Sequence, residues 1–127
     1  MLRIALATLL VMHGVAHLPG VVGAWRLAPL AEIPVHTTVV AGRFDVGERG
    51  MRLLGMGWLV AAVLFWVVAA GVVGRDAWWV PTAAASAVLS LVLSVLELPY
   101  ARVGVVVNLL ILALLVVRSA GWLSAAP

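Results

Sequence analysis

Between Arg52 and Arg75 the chain carries no charged side chain at all. A stretch such as Leu53 to Gly74, built only from Leu, Val, Ala, Gly, Met, Phe and Trp, offers nothing to solvate a water-facing surface. As a helix it matches the ~20 apolar residues needed to cross a ~30 Å hydrocarbon core. Three more segments have the same character, about residues 4–25, 77–97 and 103–123. Arg118 interrupts the last of them near its end, where a long side chain can reach the headgroups. The expected fold is therefore all-α: a polytopic membrane protein, one domain over residues 1–127, folded as a bundle of four transmembrane helices. Trp25, Trp78, Trp79, Tyr100 and Trp122 fall at span ends, as interfacial aromatics do.

Composition closes off the alternatives. Hydrophobic residues make up 65% of the chain and charged residues 10%, against ~25% charged in a soluble domain. There is no cysteine, hence no disulfide, thiol nucleophile or thiolate metal site. The net charge of +3 lies near span ends with no basic run, so nucleic acid is not an expected partner. Met1-Leu2-Arg3 and the apolar residues after it resemble a secretory leader, but the run continues to Trp25, and a retained first span is expected.

The connections are unequal. Arg75-Asp76 and the segment from Glu97 to Arg102 are tight turns, whereas residues 26–50 form a long first loop. In it, His36-Thr37-Thr38-Val39-Val40 and Arg43-Phe44-Asp45-Val46 flank Ala41-Gly42, which predicts a short β-hairpin or extended lid. Loops of this length in a compact protein tend to be functional. Threading four spans back and forth puts this loop, Glu97, Arg49 and Arg52 at one membrane face. At helical rise, His17 lies ~12 Å and Asn108 ~9 Å beneath that same face.

His13 and His17 stand one helical turn apart and share a face. Imidazoles inside a membrane normally point into the bundle, which makes the pair a candidate for acid/base work or for anchoring a lipophilic substrate. The plainer alternative is interhelical glue. Pro19 cannot donate to the Val15 carbonyl, so a free acceptor is expected near His17. Thr82, Ser86, Ser90, Ser94 and Glu97 form a stripe on the third span. It reads as close helix packing or as a polar wall leading to Glu97, whose carboxyl would turn acid-like if buried.

His17, His13 and Glu97 are thus the candidate catalytic residues. Arg43, Asp45, Glu48, Arg52, Asn108 and Trp58 are the candidate ligand contacts. Each has a plainer alternative: Glu48 and Arg52 can pair along a helix, Asn108 can bond a neighbouring helix, and Trp58 can simply pack. No metal site is expected, because His13 and His17 would need a third ligand from Glu97, Glu48, Asp45 or His36. Bis-histidine haem fits worse, since its axial ligands should come from different helices.

Arg52-Leu53-Leu54-Gly55 entering the second span, and Gly71-Val72-Val73-Gly74-Arg75 leaving it, resemble the DoxX-like group of small bacterial membrane proteins. The long first loop and short later loops share that architecture. Where that group usually carries a glycine and a lysine in the first span, this chain has His13-Gly14 and His17. The resemblance implies a multi-pass protein of the bacterial cytoplasmic membrane. It also implies a lipophilic partner, since some members are associated with quinone-linked oxidoreductases. The expected function is binding, with or without chemistry, of a small lipophilic molecule such as a quinone, isoprenoid or lipid. The rival is an accessory or structural subunit, as a homo-oligomer or beside a partner membrane subunit, whose histidines only lock helices. Four spans are few for a transporter.

Overall fold

The structure is a computed structural model that describes residues 1–31 and 33–120. Glu32, Trp122 and the expected end of the last span near Leu123 lie outside the described residues. In chain order the elements are α1 (Leu2–Val15), α2 (Leu18–Ala24), β1 (Thr38–Val39), β2 (Phe44–Asp45), α3 (Gly47–Gly74), α4 (Trp79–Leu96) and α5 (Arg102–Ser119). Among the described residues four helical stretches are long and apolar enough to cross a membrane: Leu2–Ala24, Gly47–Gly74, Trp79–Leu96 and Arg102–Ser119.

The first of these is broken at Ala16-His17. There the backbone tightens, and the His17 and Gly20 amides bond the carbonyls three residues back, Gly14 and His17, instead of four. Pro19, at the start of α2, suits a fresh helical start because its missing N–H would be unpaired there anyway.

α3 is the central element and packs against α1, α2 and α4, while α5 packs on α4. It begins at Gly47, well before Leu53, because Glu48, Arg49 and Arg52 extend the helix beyond its apolar section. Glycines let its tryptophans seat closely. The Trp66 indole lies over Gly14 and the Trp58 ring over Gly20, where an added Cβ would stand 2.5 and 2.7 Å from the ring. Trp66 also donates to the Val11 carbonyl across the α1–α3 seam (3.3 Å). Ala7, Leu10, Phe65, Val68, Ala69, Val72, Ala83 and Ala87 form an apolar core, with Phe65 and Val68 fully buried.

The hairpin is small. β1 and β2 pair antiparallel with Thr38 opposite Asp45 and Val39 opposite Phe44. Its tip turns through Val40, Ala41 and Gly42 at positive φ. That tip is docked: the Val40 and Ala41 amides donate to the Leu96 and Leu98 carbonyls (2.7 and 3.0 Å). The lid thereby satisfies carbonyls that the end of α4 leaves without an intrahelical partner.

Candidate functional site

Polarity is inverted relative to a soluble bundle. Among the described residues the buried polar side chains are His17, Ser86, Ser90, Ser94, Glu97 and Asn108, whereas Val103, Val106, Leu110, Leu114 and Val116 face outward. The polar groups divide into a closed ring of hydrogen bonds at depth and a proton-holding pair under the lid.

The directions in the ring follow from the donors each atom can supply. The His13 carbonyl can only accept, so the His17 Nδ1–H donates to it (2.6 Å). The tightened turn leaves that carbonyl without its usual amide. The acceptor that the His17 ring uses is therefore the His13 carbonyl, two residues before the Val15 carbonyl that Pro19 cannot serve. In the neutral tautomer His17 Nε2 is then an acceptor, and the Ser90 hydroxyl donates to it (2.6 Å). Ser90 Oγ in turn accepts from Asn108 Nδ2 (2.7 Å), which also donates to the Gly104 carbonyl (2.8 Å). Asn108 Oδ1 accepts from His13 Nε2 (3.2 Å). One circuit thus ties α1 to α4 and α5, with both His17 nitrogens and both Asn108 groups engaged. Phe65 stands edge-on to His13 (4.5 Å between centroids) and separates the circuit from the apolar core.

Above the ring lies a cavity of about 380 Å³. His13, His17, Trp58, Ser90, Ser94 and Glu97 contribute to its walls, together with Ile33, Pro34 and His36 from the long loop. Its size falls at the small end of ligand sites. Two buried polar atoms on its lining residues have no partner among the described residues, Ser94 Oγ and Glu97 Oε1. The serine stripe is split in its use. The Thr82 and Ser86 hydroxyls bond carbonyls of their own helix, Ser90 belongs to the ring, and Ser94 and Glu97 line the cavity.

Glu97 caps the end of α4, and its Oε2 lies 3.3 Å from His36 Nε2. The His36 Nδ1–H donates to the Pro34 carbonyl (2.8 Å), so the contact with Glu97 must hold a proton. That proton sits on the imidazole as an ion pair or on the carboxyl as a neutral pair. Burial raises the Glu97 pKa above the ordinary carboxylate value, and the adjacent His36 works against that rise. Tyr100 stacks on His36 from the α4–α5 turn (5.1 Å between centroids).

Of the sequence-derived candidates, His13, His17, Glu97 and Trp58 line this cavity, and Asn108 stands directly behind it through His13 and Ser90. Arg43, Asp45, Glu48 and Arg52 do not line it. Glu48 pairs with Arg26 across an exposed gap (2.9 Å) instead of with Arg52. The Arg52 carbonyl accepts from the Trp25 indole (3.0 Å). Asp45 is fully exposed, and its carboxylate accepts from the Gly47 amide at the start of α3 (2.9 Å), which lowers its pKa. Among the described residues no group of three His, Asp or Glu is arranged to hold a metal ion.

His36 is the member of the site that the sequence reading passed over, having weighed it only as a third metal ligand. Its signal was its place, two residues after Pro34 and just before the strand pattern that forms the lid. Comparison with family models, curated proteins and solved structures finds no match for this chain.

Proposed function

We propose that this chain is a multi-pass membrane protein, of the bacterial cytoplasmic membrane, that binds a small lipophilic molecule with a polar head. The observation that carries this reading is the roofed cavity in which Ser94 Oγ and Glu97 Oε1 are buried without partners. Buried polar atoms left unpaired cost stability, and a ligand head that bonds them recovers it. Trp58 and Tyr100 supply flat apolar walls and the His36–Glu97 pair supplies a proton. A quinone-type ring, whose carbonyl oxygens accept hydrogen bonds from such donors, suits that set. The resemblance to the DoxX-like group implies a lipophilic molecule and nothing narrower. In this reading His13 and His17 form a fixed wall, and the groups that meet the ligand head are Ser94, Glu97 and His36.

The test is a titration of the purified protein with a short-chain quinone, followed by tryptophan fluorescence, beside a saturated alcohol of similar size. Saturable quenching by the quinone that is lost in Ser94→Leu supports the reading. No saturable change, or equal binding by Ser94→Leu, sinks it.

A second reading, a structural subunit locked by its histidines, is favoured by the closure of the hydrogen-bond ring itself. It predicts that His13→Ala with His17→Ala lowers stability and that no quinone binds to the parent protein.

A further inference from the structure

The opposite end of the bundle carries a second cavity, also of about 380 Å³, lined by Arg3, Arg75 and Arg118 together with Leu6, Val72 and Trp79. The arginines come from three separate places, the start of α1, the residue that ends α3, and the last turn of α5. Among the described residues the ion pairs are Arg26–Glu48 and His36–Glu97, so none of these three guanidiniums is matched by a carboxylate. Asp76 is the only acidic residue in this half of the chain's topology, and it neither lines the cavity nor forms an ion pair. Arg118 is held over the Trp79 ring (5.0 Å to the centroid), which fixes the cation beside an apolar wall. Arg75 adopts a left-handed backbone (φ 66°) where glycine would fit without cost.

Three cations around an apolar hollow, at the level where the spans meet the headgroups, select an amphiphile with an anionic head. Guanidinium groups match phosphate oxygens in pairs, and the hollow takes the first part of an acyl chain. We infer that this end of the bundle binds the headgroup of an anionic phospholipid. The inference rests on the membrane-spanning reading alone and is independent of what occupies the cavity at the far end.

Native mass spectrometry of the full chain in detergent, with phosphatidylglycerol or phosphatidylcholine of identical acyl chains added, tests it. The parent protein is expected to retain the anionic lipid preferentially. R75Q/R118Q is expected to lose that preference by about fivefold for each arginine removed, while R49Q/R102Q at the other end keeps it. All four side chains are at the surface, and an unchanged melting temperature verifies that the variants fold. Excess inorganic phosphate should leave the lipid in place. The assignment is overturned if the two lipids are retained alike, if both double variants lose the preference equally, or if free phosphate displaces the lipid.

Discussion

Ser90 is fully buried and is the hinge of the polar ring, because it both donates to His17 and accepts from Asn108. Ser90→Ala strands an imidazole lone pair and an amide hydrogen, and is expected to cost about 1–2 kcal/mol in unfolding measurements in detergent. Ser86 is equally buried, but its hydroxyl bonds only the Thr82 carbonyl on its own helix. Ser86→Ala should therefore stay within about 0.5 kcal/mol of the parent. Equal losses at the two serines would refute the ring as a stabilising unit. Glu97 gives a pH signature. Its pKa is raised on folding, so the folded state holds the proton more tightly than the unfolded chain does. The contribution is present below its ordinary value of 4.5 and is lost as pH rises through the raised value. Glu97→Gln should flatten that part of the stability profile; an unchanged profile would count against a buried, titrating Glu97. Sequence spacing was enough to put His13 and His17 on one face. It could not reveal that His17 spends both nitrogens internally, because that depends on a backbone break at Ala16-His17 and on two partners from distant helices.

At the scale of elements, apolar length alone specified the four long helices, since lipid-length runs free of charge have few other solutions. Boundaries were less legible. α3 starts in the charged segment at Gly47, where helix continues after burial has ended. The Gly–Trp contacts were also hidden: Trp58 can be read as packing, but helical spacing does not name Gly20 on another helix as what it packs on. Gly14→Ala would push a Cβ to 2.5 Å from the Trp66 ring and 3.0 Å from the Ala62 carbonyl, neither of which can yield easily. A loss of about 1–3 kcal/mol is expected. Gly104→Ala meets only the Ser94 side chain, whose hydroxyl can rotate away and whose Cβ stands at 3.4 Å, and should be much milder on the same assay. The lid's docking makes its own prediction. The Val40 and Ala41 amides, bonded to the end of α4, should exchange hydrogen slowly, and His36→Ala should speed them. Fast exchange at both amides in the parent protein would mean that the lid is not seated.

For the molecule as a whole, alternation of four long apolar helices gathers His13, His17, Glu97 and Asn108 into one half of the bundle, a consequence of chain direction that the sequence already contains. The arginines were less tractable: five sit in or beside the long loop and its facing turn, yet none lines the polar cavity. Loop side chains answer to local pairing, as with Arg26 and Glu48, which no helical periodicity encodes. The outward faces are apolar, most plainly on α5, where Asn108 is the one buried residue. Such a surface requires lipid or another apolar partner around it. The cavity and its unpartnered Ser94 and Glu97 oxygens are the centre of the account. Extraction of the purified protein followed by mass spectrometry of small molecules tests it most directly. One ring-bearing lipophile is expected, retained at close to one per chain and absent from a Ser94→Leu preparation that remains folded. A parent protein that carries no such molecule, or a filled-cavity variant that carries it equally, would contradict it.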